Sequence, residues 1–482
     1  MKTEKIISKQ QTKTNTNISN NIFYLINSFF HSKYISLKKP KDLWGGIVLL
    51  CTFLLMIDAA YLAYILRNDF SKFNIERMNS TLGLTFIVIA GILSLFKVSF
   101  FIYTLYRYIK YKPVASVKDK ELPTCTVIVP AYNEGKQVWD TLMSLVDSDY
   151  PKEKLQLIAI DDGSADDTWK WMQNAKKSLG NRLSIYQQPE NQGKRHALYR
   201  GFNLGKGDIF ITVDSDSIVK SDTLRNLVSP FISNKQCGAV AGNIRVLNTK
   251  KGLLPKMLNV SFALSFDFVR SAESSLNSVL CTPGALAAYK SDAVFACLPE
   301  WINQTFMGHP SDIGEDRALT NMILKQGYHV LFQRNAYAYT NVPEKYRGLY
   351  KMFIRWSRSN VRENIEMSKY VFKNFKKDTK IGTRLLFISQ SLEIIMSYPF
   401  LLFMIFFVLT HPLLFISSTI VSILILSTFP AIFYAKHYNL SESFWAYTYS
   451  ILYTFSLFWI TPYAIATANK RGWLTRDLPE IK

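Results

Sequence analysis

Two carboxylates one residue apart, Asp214 and Asp216 in "TVDSDS", close the apolar run "DIFITVD". Acids at that spacing are oxygen ligands for a hard divalent cation. Mg2+ or Mn2+ takes one or two protein carboxylates and completes its shell with substrate phosphates. Asp161 and Asp162 end "LQLIAIDD" in the same manner, and Asn133–Glu134 end "TCTVIVPAYNE". A single Asp-x-Asp is ordinary turn chemistry, but three polar, acid-bearing ends in succession point to one site. A cationic contributor follows in "ENQGKRHALYRG", where Lys194 and Arg195 stand after a glycine and are expected to approach phosphate oxygens. The predicted chemistry is capture of a nucleotide diphosphate through a cation.

The elements that must position these acids are legible in the pattern. Short β-branched runs alternate with helix-like segments such as "GKQVWDTLMSLVDS" and "ADDTWKWMQNAKKSL". Strand–helix–strand at this spacing predicts an α/β domain, a mostly parallel sheet with helices on both faces. Ligands of such sheets collect at the carboxyl ends of the strands, where the acids lie.

Apolar blocks flank this domain. Residues 43–66 and 82–104 each reach the ~20 residues that span a bilayer. Blocks at about 385–409, 412–434 and 443–468 follow the domain. Lys and Arg before the first span and after the second place the domain in the cytoplasm. Three later crossings would put the basic "NKRGWLTRD" outside, against the same rule, so the number of crossings stays open. The expected plan is a flexible basic tail over 1–41, two membrane helices in 42–105, a catalytic domain over 113–345 and an amphipathic interfacial region over 346–380. Membrane helices in 381–469 and a cytoplasmic tail over 470–482 complete it. No cleavable leader is expected, because the first long apolar run starts too late. Asp58, Lys97 and Glu393 are charges inside apolar blocks, and either line a channel or pair structurally.

The net charge of +21 over 482 residues concentrates in the tail and beside the apolar blocks, which argues for lipid and against nucleic acid. The five cysteines, Cys51, Cys125, Cys237, Cys281 and Cys297, have no metal-ligand spacing and read as reduced thiols. In 349–364, Lys351, Arg355, Arg358 and Arg362 recur at steps of four, three and four, forming one basic helix stripe beside Leu349, Phe353 and Trp356. An interfacial helix with snorkelling cations and a catalytic helix are both compatible with that stripe.

Taken in order, "VPAYNE", "DDGSADDT", "NQGKRHAL" and "VDSD" resemble the family 2 glycosyltransferases. "GEDRALTNMILKQGY", "FIRWSRSNVREN" and "RGWLTR" are similar to segments of the processive, membrane-embedded hyaluronan and chitin synthase group. The resemblance covers about 43–476. Two positions depart from it: Met352 stands where the group has Gln, and Leu474 where it has Gly.

The resemblance implies a GT-A-type domain set between N- and C-terminal membrane helices, and inverting transfer from UDP-sugars to a growing polysaccharide. It implies Asp316 as general base, with Glu315 orienting, and Asp214 and Asp216 as metal ligands. Asp161 or Asp162 would meet the uridine. Lys194, Arg355, Trp473 and Arg476 would serve the diphosphate end, and Trp356 and Cys281 the acceptor; a buried, inert thiol is the plain alternative for Cys281. Mg2+ or Mn2+ is the implied cofactor, and UDP-sugars, the polymer and membrane lipid are the implied partners, at the plasma membrane. Hyaluronan is the favoured product. A chitin-type polymer from UDP-N-acetylglucosamine alone is the nearest rival, and a lipid-phosphate glycosyltransferase and a silent membrane scaffold are further ones.

Overall fold

Alternate residues of the buried runs serve two different cores. In β1 (Cys125–Ala131), which is buried throughout, Val127 and Val129 join one apolar cluster and Ile128 the other. A strand covered on both faces by helices reads as a continuous apolar run, as this one does. The structure, a computed structural model, describes residues 43–470.

The remaining strands are β2 (Leu155–Asp161), β3 (Leu183–Gln187), β4 (Ile209–Thr212), β5 (Ser217–Val219), β6 (Cys237–Val246), β7 (Ala287–Lys290), β8 (Thr305–Phe306), β9 (His309–Pro310) and β10 (His329–Thr340). Eight of them form one sheet in the order β3-β2-β1-β4-β7-β6-β10-β5, and β8 and β9 form a small hairpin. The first four neighbours run parallel, β6 pairs β10 in parallel, and β7 and β5 run antiparallel to theirs. One face is covered by helices Gln137–Val146 and Thr168–Leu179. Lys194–Leu204, Ser291–Ile302 and Glu315–Lys325 cover the other. Gly201 lets the helix Lys194–Leu204 lie directly on Ile128, where any Cβ would overlap that side chain.

Four helices among the described residues are long and apolar enough to cross a membrane: Trp44–Ile65, Thr81–Lys110, Ile381–Thr410 and Pro412–His437. Ser80 caps the second, its Oγ accepting from Gly83 N at 3.3 Å, and Arg107 and Lys110 occupy its last turn. The block 443–468 differs from the other four. It breaks into Trp445–Ser456 and Ile460–Ala466, each too short to span a bilayer. Lys97 and Glu393, on two different long helices, form an ion pair at 2.7 Å.

The basic stripe also differs from a snorkelling surface. Helix Tyr346–Ser368 buries Arg358 and Arg362, each 2% exposed. Arg358 Nε donates to Thr467 Oγ1 at 3.0 Å, and Arg362 donates to the carbonyls of Ala468 and Lys470 at 2.6 and 2.8 Å. Guanidiniums with several donors satisfy the carbonyls at a helix end that lipid could not. Half of the stripe therefore latches the C-terminal segment onto the domain.

Candidate active site

The parallel register sets the strand ends level. Ala131 pairs with Asp161, and Asp161 with Gln187, so the loops after β1, β2 and β3 start side by side. Asp162 is the first residue beyond β2, and its carboxylate accepts from the backbone N–H of Gln192 at 3.1 Å and Gly193 at 2.8 Å. Burial nevertheless pushes its pKa up to about 6, against those hydrogen bonds. Asp161 lies wholly inside, accepting from Ser164 N at 3.2 Å and Gln187 Nε2 at 2.8 Å. Of the two adjacent acids, Asp162 lines the cavity and Asp161 holds the loop.

Helix Lys194–Leu204 begins just beyond Gly193, whose φ of 93° lies in the region that favours glycine. Lys194 Nζ lies 2.5 Å from Asp214 Oδ1 and 3.0 Å from Glu315 Oε1. Burial alone would lower the lysine pKa, but Asp214, Glu315 and Asp316 hold it above the usual range. Arg195 corrects the expectation of a second phosphate cation. It is 3% exposed and points away, donating to Gln304 Oε1 at 3.1 Å with its guanidinium over the Trp301 ring at 5.0 Å. Consecutive helix residues lie about 100° apart, so only one of the pair can face the site.

The segment "GEDR" enters from the opposite side. Gly314 has φ 75°, and an added Cβ would collide with Ser359, so this turn packs against the helix that carries Arg355. Trp301 Nε1 donates to the Glu315 carbonyl at 2.9 Å and fixes the turn. Burial would raise the Glu315 pKa, but Lys194 reverses that and holds the carboxyl below the usual range. Asp316 accepts from Arg317 N at 2.7 Å and Gly284 N at 3.0 Å. Burial, reinforced by the Glu315 charge, keeps Asp316 above the usual carboxylate range.

These groups share one cavity of about 560 Å³, lined by Asp162, Lys194, Asp214, Asp216, Asp316 and Arg355 among others. Thr340 Oγ1 donates to Asp216 Oδ1 at 3.2 Å. Trp356 lines the same cavity and packs against Phe353 and Phe262, ring centroids at 5.6 and 6.1 Å. Met352 lines it too, with an apolar side chain where the resemblance led to a Gln. Cys281 lies on the wall, and burial pushes its thiol up to about 12, so it stays protonated. Trp473 and Arg476 lie outside the described residues. Among the lining residues that carried no functional reading in the sequence are Arg270, Glu273, Arg317 and Gln390. Only the i, i+3 spacing of Arg270 and Glu273 hinted at a shared face.

Asp214 and Asp216 offer hard oxygen donors only. No set of three His, Cys, Asp or Glu side chains suited to a metal converges among the described residues. That suits Mg2+, or Mn2+ in the same role, completing its shell with phosphate and water, rather than a closed structural site.

Residues 123–359 match the family described as "Glycosyltransferase like family 2", and the chain carries a glycosyltransferase domain of that family. It is 34% identical over 248 residues to an N-acetylglucosaminyltransferase of Rhizobium meliloti strain 1021, covering 51% of this chain and 58% of that protein. It is 29% identical over 252 residues to hyaluronan synthase of Streptococcus pyogenes, covering 51% and 59%. The matches thus span under two thirds of the length of both relatives. Among solved structures, the mannosyltransferase PcManGT from Pyrobaculum calidifontis, in complex with GDP-Man and Mn2+, aligns with a TM-score of 0.50 at 21% identity. That alignment covers 78% of this chain and 97% of the other. The likeness supports the GT-A-type fold.

Proposed function

We propose that this chain is a processive, inverting β-glycosyltransferase of the hyaluronan synthase type, polymerising UDP-sugars beside the membrane. The observation that carries the reading is the meeting of Asp214, Asp216, Asp316 and Arg355 on one cavity, with Gln390 of the long apolar helix Ile381–Thr410 in the same wall. A transferase with its acceptor site opening onto a membrane helix suits a product that leaves through the bilayer.

Asp316 acts as general base. Its two oxygens are fixed by backbone N–H groups, and its raised proton affinity suits removal of the acceptor hydroxyl proton. That hydroxyl attacks the anomeric carbon as the nucleoside diphosphate leaves. Lys194 and Arg355 meet the charge on the departing phosphates, and Asp162 holds the nucleoside end. Trp356 offers its ring face to the acceptor sugar. Mg2+ or Mn2+ held by Asp214 and Asp216 would neutralise the diphosphate.

Two crossings on each side of the domain, by the four helices long and apolar enough for it, would return Lys470 to the side on which the domain lies. With three crossings replaced by two, the basic residues around the domain and at the C-terminus all satisfy a cytoplasmic placement at the plasma membrane. The experiment is product analysis on purified full-length chain given each UDP-sugar singly and in pairs. Polymer that requires both UDP-glucuronate and UDP-N-acetylglucosamine supports the hyaluronan type. The N-acetylglucosaminyltransferase relative favours a second outcome, a homopolymer from UDP-N-acetylglucosamine alone. UDP release from no UDP-sugar overturns both.

A further inference from the structure

The ammonium of Lys194 sits in a seat of defined shape. Its Nζ lies 2.5 Å from Asp214 Oδ1 and 3.0 Å from Glu315 Oε1, and the lysine side chain is only 13% exposed. The bare backbone of Gly284 closes the seat from a third side. A Cβ added there would overlap the ammonium, while meeting Glu315 Oε1 at 3.6 Å and Asp214 Oδ1 at 3.7 Å in ordinary contact. Gly284 does not adopt the left-handed φ that favours glycine, so what this position excludes is side-chain volume. Its N–H also donates to Asp316 Oδ2 at 3.0 Å, so one residue touches both the lysine seat and the proposed base.

Asp214 thus has two cations to serve. Its side chain is 32% exposed against 7% for Glu315, so an ion arriving through the cavity can reach it. A divalent cation takes a carboxylate oxygen at about 2.1 Å and cannot share Oδ1 with the ammonium. On the other oxygen it would stand within a few ångströms of a positive charge. Lysine is the kind of group that can give way: a flexible four-carbon stem carries a compact charge with three donors that can be aimed again. Glu315, nearly buried, is placed to keep its hold as a pivot. The phosphate oxygens of a nucleoside diphosphate are the acceptors that can replace Asp214.

Resting on the transferase reading above, we propose that Lys194 is a built-in competitor of the divalent cation for Asp214, seated there by Gly284. The carboxylate holds the cation tightly only together with a nucleoside diphosphate, onto whose phosphates the ammonium moves while Glu315 retains it. Gly284 is a positioning residue, acting through Lys194. The device keeps Asp214 from capturing a metal ion that brings no donor.

The test is Mn2+ binding to the purified full-length chain, read from the electron paramagnetic resonance signal of free Mn2+ with and without UDP and corrected by a protein-free titration. In the unaltered protein UDP should tighten Mn2+ binding about tenfold or more, within the usual span of coupling between two ligands. Lys194→Met should tighten Mn2+ binding without UDP by about tenfold and shrink the effect of UDP. Gly284→Ala keeps the lysine charge but displaces the ammonium, and should tighten Mn2+ binding without UDP by about threefold or more. The thermal midpoint in detergent reports whether each variant is folded. Unchanged Mn2+ binding without UDP in a folded Lys194→Met overturns the competition and leaves the transferase reading intact. Tightening in Lys194→Met with none in Gly284→Ala overturns the seat, because loss of a positive charge at a distance would then suffice. Absence of UDP release from every UDP-sugar sinks the transferase reading, a measurement on which the Mn2+ titration does not depend.

Discussion

The two walls of the cavity are made in different ways. One consists of strand ends: Asp162, Asp214 and Asp216 follow β2 and β4, and Lys194 opens the helix after β3. The other consists of helix faces far apart in the chain: Asp316 and Arg317 on Glu315–Lys325, Arg355 and Trp356 on Tyr346–Ser368, Arg270 and Glu273 on a short helix, and Gln390 on a long apolar one. A sheet fixes its strand ends through register, so the first wall is rigid and local. The second holds only while several helices keep their packing. The cavity thus joins a site of ordinary α/β type to a surface that the membrane helices help to shape.

The largest loss is expected at the point where the walls meet. Asp316→Asn keeps the size of the side chain but cannot accept the proton, and sugar transfer should fall about 10³–10⁴-fold with UDP affinity retained. Wild-type rates in that variant would remove Asp316 from the chemistry. On the strand-end wall, Asp214→Asn should lower the rate about 10²–10³-fold. Chelation of divalent ions should do the same to the unaltered protein and add little to the variant; independent, additive losses would argue against a shared role.

On the helix wall the expected losses are of stability. Arg362→Met leaves the buried carbonyl of Ala468 unpaired and removes the bond to the carbonyl of the exposed Lys470, at a cost of about 1–3 kcal/mol. A thermal midpoint unchanged in detergent would show that the latch is unimportant. The pH response belongs to the strand-end wall. Burial holds Asp162 up to about 6, so the group gains its proton as the pH falls through that value. Its backbone partners then lose a charged acceptor, and UDP should bind more weakly below pH ~6 than above it. Asp162→Asn, already neutral, should flatten that profile in a titration of UDP affinity. The smallest effect is expected at Cys281→Ser. A thiol that stays protonated does no covalent work, and turnover should change less than about threefold.

Most of the strand-end wall could be read directly. β-branched runs ending in Asn133–Glu134, Asp161–Asp162 and Asp214 announce their own geometry, because side-chain alternation and parallel pairing leave few other places for those ends. The choice within each pair could not be read. Asp161 and Asp162 are the same residue type, and Lys194 and Arg195 the same charge; which one faces the ligand depends on where the strand stops and how the helix is rotated. The basic stripe at 351–362 shows the same limit. Its periodicity correctly describes one helix face, yet Arg355 meets the cavity while Arg358 and Arg362 meet the C-terminal segment, because that face spans two neighbours.

By itself, then, the chain's pattern of apolar runs and acids determined an α/β sheet domain between apolar helices and set Asp214 and Asp216 at a strand end, while Asp316 and Arg355 were reached through the family resemblance. The first of these are consequences of local periodicity and residue chemistry. Only the tertiary structure decided that 443–468 is two short helices, that Asp161 and Arg195 turn inward, and that a π-helical stretch, Ala263–Val269, brings Arg270 and Glu273 beside Arg317. Each of these depends on contacts between residues tens to hundreds of positions apart, and periodicity along the chain carries no information about such partners.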